Sequence, residues 1–140
     1  MLRGEFESAG ELAPATLREA YFDRVREAVE TVGVETAAKR SGVDRAVLAA
    51  LTDGESPELT LEAAAAVLAA DPEMPPGESI AAEARDILLM GMTTAVVDVD
   101  ALAAGLDIDL DPKELQQKVE GRHPVTLAEY ARIHTYLERS

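Results

Sequence analysis

The sequence contains no cysteine and no tryptophan, and aromatic residues make up only 4% of its 140 residues. The lack of cysteine excludes disulfide bonds and thiolate chemistry. Because aromatic side chains are rare, the apolar positions are filled mainly by alanine, leucine and valine, which suits closely packed helices better than a sheet. The apolar fraction of 47% is ordinary for a globular protein, and the length allows one compact domain or two very small ones.

Long apolar segments are missing as well. The most apolar run, Ile87–Met92, is far too short to span a bilayer. The first residues of the chain lack the apolar core of a signal peptide. We therefore expect a soluble cytoplasmic protein with no membrane partner.

Lysine is scarce, whereas acidic residues are abundant. The chain has 27 Asp and Glu against 13 Lys and Arg, a net charge of −14, and its lysines are Lys39, Lys113 and Lys118. This composition resembles that of haloarchaeal proteins, whose acidic surfaces stay soluble in concentrated salt, so the charge reflects the solvent rather than a partner. The alternative is an acidic protein that binds cationic partners. From Lys113 onward basic residues slightly outnumber acidic ones, which marks this end as the place where a polyanion would dock.

The chain also contains an internal repeat. Each copy has two short helical segments, a turn with an acidic residue followed by glycine, and a Thr-Leu pair that opens a further helix. This layout predicts two similar helical units. The matched positions are Val34 with Val99, Gly54 with Gly121, and Thr60-Leu61 with Thr126-Leu127.

Helical periodicity and capping residues predict an all-α protein in which two helix-turn-helix-like repeats surround a long central helix. No segment alternates with the period of a strand. We assign a flexible arm to residues 1–12, the first repeat to 13–70, a proline-rich linker to 71–78 and the second repeat to 79–140. The predicted helices are 14–32, 34–41, 45–52, 61–70, 79–97, 99–106, 112–120 and 127–139.

The central helix is apolar on nearly every side over Ile87–Met92, and such a helix is normally buried. It is either the spine between the two repeats or the centre of a homodimer. In the second case its interaction face would consist of Ile87, Leu88, Met90 and Met92.

Each copy resembles the Xre/lambda-repressor-like family of helix-turn-helix proteins. In the first copy the resemblance rests on Gly42-Val43-Asp44, Asp53-Gly54-Glu55 and Thr60-Leu61. It implies a DNA-binding transcriptional regulator that places a recognition helix in the major groove. The whole chain also resembles a family of small acidic haloarchaeal proteins, which implies no activity.

The two candidate recognition helices differ in what they could offer to DNA, which is read by polar and basic side chains. The first copy presents mainly alanine, at positions such as Ala46, Ala49 and Ala50. The second copy is the better candidate, because polar and basic residues project from its third helix and the turn after it. These candidate DNA-binding residues are Lys113, Gln116, Gln117, Lys118 and Arg122. The alternative function is a protein-interaction adaptor or homodimer scaffold that binds no nucleic acid.

No other motif indicates chemistry. Asp107, Asp109 and Asp111 are spaced like the start of a calcium loop, but Pro112 stands where glycine is needed and Lys118 where glutamate is needed. Nucleophile elbows, phosphate-binding loops and dinucleotide fingerprints are absent. We expect no enzyme, metal or cofactor, and we expect His134 to be a partly buried core residue of the last helix.

Overall fold

A computed structural model describes residues 14–106 and 109–139 of the chain. These ranges form helices joined by short turns and contain no β-strand longer than a single bridge. The all-α fold class is therefore confirmed. The helices are α1 (Pro14–Val32), α2 (Val34–Ser41), α3 (Arg45–Thr52), α4 (Leu61–Leu68), α5 (Gly77–Ala95), α6 (Val99–Gly105), α7 (Pro112–Glu120) and α8 (Leu127–Arg139).

The predicted boundaries differ most for the central helix α5. It begins at Gly77, so the last two residues of the predicted linker 71–78 belong to the helix. A Cβ at Gly77 would lie 3.3 Å from the Cα of Ala66, so glycine lets α5 start close against α4. The helix ends at Ala95 rather than at residue 97, because Val96 takes the left-handed conformation. The predicted arm 1–12 and Asp107 lie outside the described residues.

Side-chain caps explain why the short helices start where they do. The carboxylates of Asp44, Asp98 and Asp111 each accept a hydrogen bond from a backbone N–H in the first turn of α3, α6 and α7. At α8, Thr126 and Glu129 form a reciprocal capping box of 3.0 and 3.1 Å hydrogen bonds. These caps satisfy backbone donors that helix geometry leaves without partners.

The two halves of the chain are packed across each other. α1 packs on α8 and α4 packs on α5, while α5 also packs along α8. One continuous hydrophobic core therefore joins both halves. Its largest fully buried side chains are Tyr21, Tyr130, Leu17, Leu48, Leu51, Leu61, Leu68, Ile80, Leu88, Leu102 and Leu115.

A short backbone pairing lies at the centre of this arrangement. Thr60 and Thr126 form an isolated antiparallel bridge. The N–H of Leu61 donates to the carbonyl of Val125 at 2.7 Å, and the N–H of Leu127 donates to the carbonyl of Leu59 at 2.9 Å. The two threonines are the residues that the sequence alignment matches, and an antiparallel pairing of matched residues is what a two-fold relation between units produces. The internal repeat stays a prediction, and this pairing supports it.

Two arginines make corresponding contacts in the two halves. Arg26 of α1 donates through Nε to the carbonyl of Leu51 at 2.7 Å, near the end of α3. Arg85 of α5 donates through Nε to the carbonyl of Lys118 at 3.1 Å, near the end of α7. Both carbonyls stand three residues before the glycine of the turn that the alignment matches. Each arginine thus supplies donors to the open carbonyl end of a short helix.

A buried polar cluster connects α1 to α8. The hydroxyl of Tyr21 lies 2.5 Å from Nδ1 of His134, and the hydroxyl of Tyr130 donates to the carbonyl of Ala84 on α5 at 2.8 Å. The rings of Tyr21 and Tyr130 meet edge to face, with centroids 5.5 Å apart. His134 is therefore buried in the core, more completely than the sequence indicated.

Burial also sets the ionisation of this cluster. It raises the pKa of Tyr21 and of Tyr130 above the ordinary value, so both phenols stay protonated. It lowers the pKa of His134 from 6.5 to about 4, because the charged imidazolium would be poorly solvated. The neutral ring shares a hydrogen bond with the Tyr21 hydroxyl through Nδ1, and its Nε2 lies 3.8 Å from Glu138 Oε1.

The adjacent leucines of α5 provide a matched test of the core. Leu88 is fully buried, whereas Leu89 is 39% exposed. Leu88→Ala should lower the free energy of unfolding by about 2–5 kcal/mol, since it leaves a cavity in the core. Leu89→Ala should cost much less. Denaturant unfolding of both variants at one salt concentration measures the difference, and equal costs would contradict this placement of α5.

The His134 cluster predicts a pH dependence of stability. The unfolded chain binds a proton at His134 near pH 6.5 and the folded chain only near pH 4. Stability from this group is therefore complete above pH 6.5 and falls by roughly 3 kcal/mol as the pH drops toward 4. His134→Gln keeps an acceptor for Tyr21 but cannot titrate, so it should lose less stability between these pH values than the wild type. His123→Gln, at an exposed histidine, is the control and should behave like the wild type.

Candidate functional site

The predicted DNA-binding residues lie at and after α7, but they do not form one basic face. Leu115 and Val119 are buried and fix the orientation of the helix. Lys113 and Gln116 are exposed, and Gln117 is half-buried. These three residues lie on neighbouring positions of one helix face, at spacings of three and four.

Lys118 is turned away from that face. Its ammonium lies 2.7 Å from both carboxylate oxygens of Glu129 on α8, and its side chain is only 19% exposed. Glu129 is also the acid of the α8 capping box. Lys118 therefore completes a structural ion pair, and its charge is already compensated by a neighbouring carboxylate.

Glu120 holds two further members of the predicted set. Arg122 Nη2 lies 3.0 Å from one Glu120 oxygen, and the side-chain amide of Gln116 lies 3.4 Å from both. Glu114 adds another exposed carboxylate to the same helix. The α7 surface is thus of mixed charge. Of its cations, Lys118 and Arg122 form ion pairs, whereas Lys113 forms none with the described residues.

A second candidate surface lies at the carboxyl end of α5. The stretch Ile87–Val97 carries no charged side chain, although charged residues make up 29% of the chain. Three large apolar residues are exposed there: Leu89 at 39%, Met90 at 55% and Val96 at 91%. No other large apolar side chain is exposed in the described part of the chain. We call Ile87–Val97 the apolar end of α5.

A groove of about 290 Å³ runs between this apolar end and the end of α8. Tyr130 contacts Ala84, and Leu137 faces Gly91, so α5 and α8 lie side by side in the same direction. A Cβ at Gly91 would lie 3.2 Å from Cβ of Leu137, so the missing side chain lets the helices come close and forms the floor of the groove. The lining residues are Ile87, Met90, Gly91, Thr94, Ala95, Leu137 and Glu138.

The structure corrects the predicted interaction face of Ile87, Leu88, Met90 and Met92. Ile87 and Met90 line the groove, but Leu88 is fully buried and Met92 packs against the core. The reason is that α5 buries a stripe of Ile80, Ala81, Ala84 and Leu88 and leaves the opposite side of its last turns uncovered. The last turns of α5 are therefore apolar on every side but buried on only one side.

Sequence reasoning missed Leu89 and Val96, the other exposed members of this surface. Leu89 belongs to the apolar run Ile87–Met92 but is not part of the predicted interaction face. Val96 lies inside the predicted helix 79–97. Val96 instead ends α5 with φ 55°, and it is the one non-glycine residue with positive φ among the described residues. A β-branched residue in this region is strained. At the matching junction of the first half, α1 is followed by Gly33 with φ 88°.

Other kinds of site find little support in the described residues. No group of three or more His, Cys, Asp or Glu side chains there could hold a metal ion. No single described helix is long and apolar enough to cross a membrane; α5 and α6 meet the length and apolarity only as a pair bent by 93°.

Comparison with known proteins gives a family but no activity. No curated protein and no solved structure matches the chain. The resemblance to the Xre/lambda-repressor-like family stays a prediction. Residues 17–140 match DUF5791, a family of unknown function, and because this match covers most of the chain, the protein belongs to that family.

Proposed function

We propose that this protein is a protein-interaction module that docks a partner at the apolar end of α5. The observation that carries the proposal is the exposure of Leu89, Met90 and Val96 in one uncharged stretch beside a groove. Scattered exposed apolar residues are normal, but a contiguous patch beside a concave surface is typical of an interaction site.

The strain at Val96 supports the same proposal. A glycine or asparagine would end the helix at lower cost, yet valine stands there with nearly its whole side chain in solvent. Strained backbone conformations cluster at functional positions. A role for the valine side chain in binding accounts for its presence.

DNA binding through α7 is the second candidate. The exposed Lys113 and Gln116 favour it, because lysine contacts phosphates and glutamine can pair with adenine. The carboxylates of Glu114 and Glu120 weigh against it, since they lie on the same helix as these contacts and repel phosphate. The ion pairs of Lys118 and Arg122 reduce the available positive charge further.

A photocrosslinking amino acid placed at Met90 tests the proposal in living cells. We expect it to give a discrete covalent adduct with a protein that mass spectrometry identifies, and the adduct yield should fall when Leu89→Ser is added. The same probe at Gln116 tests the second candidate, and at Glu30, an exposed residue of α1, it serves as the control.

The outcomes separate the two candidates. A protein adduct at position 90 that is absent at position 30 supports docking. Adducts with nucleic acid at position 116, without a protein adduct at 90, would contradict the docking proposal and favour DNA binding. Equal labelling at 90 and 30 would also contradict it, because the apolar end of α5 would then be no different from the ordinary surface.

A further inference from the structure

The charges around the groove indicate what kind of partner fits it, provided that the docking function proposed above holds. Of the described residues that line the groove, none is lysine or arginine, and Glu138 contributes a carboxylate to its wall. Asp86 is exposed one helical turn before Met90. The groove is therefore apolar at its floor and acidic at its edges.

Within residues 14–106 and 109–139, no lysine or arginine forms an ion pair with the carboxylate of Glu138. One of its oxygens lies 3.8 Å from Nε2 of His134. Burial keeps the pKa of His134 at about 4, so this imidazole is neutral at ordinary pH. Asp86 makes no ion pair with the described lysines and arginines. Both negative charges remain available to a positively charged partner.

The shape of the groove favours a helix as the occupant. On the α5 side it is lined by Ile87, Met90, Gly91 and Thr94, which occupy positions i, i+3, i+4 and i+7 of one helix face. Such a ridge beside a second helix receives an amphipathic helix whose apolar residues recur with the same spacing. The described part of the chain shows no strand edge here to which an extended peptide could pair.

A second copy of this chain fits less well. Two copies joined across this groove would bring their acidic edges together, and each chain has a net charge of −14. Like charges placed opposite each other weaken association. The local carboxylates at the groove favour a partner of opposite sign instead.

We infer that the occupant of the α5/α8 groove is an amphipathic helix of a partner protein, with an apolar stripe flanked by lysine or arginine. The stripe contacts Met90, Leu89 and Val96, and the flanking cations meet Glu138 and Asp86. This inference names the partner of the docking site and rests on the proposed function.

Three synthetic helical peptides of equal length test the inference with the full chain. The first has leucines at helical spacing flanked by lysine and arginine; the second has the same leucines flanked by glutamate; the third has the cations of the first but serine in place of leucine. Fluorescence anisotropy at one fixed salt concentration should show the first binding at least about tenfold more tightly than the others, a difference of about 1.4 kcal/mol.

Variants of the chain assign the binding to the groove. Glu138→Gln should weaken binding of the cationic peptide, whereas Glu30→Gln, which removes the same charge from exposed α1, should not. Val96→Gly should weaken binding as well, yet leave the midpoint temperature of the free chain unchanged or raised, because glycine relieves the left-handed backbone. A merely structural role for Val96 would lower both.

Several results would overturn the inference. Equal binding of the first two peptides would remove the need for cations and leave the docking function standing. Equal binding of the first and third would reduce the effect to attraction by net charge. Self-association that Met90→Ser abolishes would identify a second copy as the occupant, and binding to neutral lipid vesicles in preference to the peptides would identify a membrane surface. Failure of the docking function itself is recognised separately, by the absence of a crosslink at position 90.

Discussion

The fold depends on the short backbone pairing between the segments that precede α4 and α8. The two hydrogen bonds across the Thr60–Thr126 bridge fix the starting points of both helices relative to each other. The flanking residues Leu59, Leu61, Val125 and Leu127 are all buried, so these bonds are protected from water. Because an unpaired buried backbone group is costly, this pairing holds the helices in one register, from which the packing of α1 on α8 and of α4 on α5 follows.

Polar side chains connect separate helices of the fold, both between the two halves and within the second half. Arg85 reaches from α5 to carbonyls near the end of α7 and to the Glu62 carboxylate at 2.8 Å. Tyr21 and His134 join α1 to α8, and Lys118 joins α7 to the cap of α8. Several of the scarce cations thus serve the fold. For this reason the basic residues of the last part of the chain are less available to a polyanion than their number in the sequence indicates.

Helix type and most boundaries could be predicted, because they depend on local features. Caps such as Asp44, Thr60 and the Thr126–Glu129 box act over three residues, and a sequence shows them directly. The end of α5 was mispredicted because Val96 adopts a conformation that valine rarely takes. Residue propensities do not predict the left-handed conformation of Val96.

The candidate site was harder to predict because it depends on which side of each helix the fold covers. The sequence indicated an apolar surface around Ile87–Met92, but only tertiary packing decides that Leu88 points inward while Leu89 and Met90 point outward. Likewise, the pairing of Lys118 with Glu129 joins residues that are eleven positions apart on different helices. Helical spacing within α7 alone does not reveal it. Contacts that join separate helices depend on the tertiary packing and are not visible in local sequence patterns.

The attachment of α6 has a consequence for how the molecule opens. This helix has only seven residues and packs mainly on α7, and a helix of that length is not stable alone. At its end Gly105 lies directly against Tyr136, where no larger side chain fits. Although Leu102 is buried in the core, α7 is the main helix that α6 contacts, so we expect the amides of α6 to open at a smaller free-energy cost than those of the bridged core. Since α6 follows the Val96 turn without an intervening element, a partner bound at the apolar end of α5 would also restrain α6.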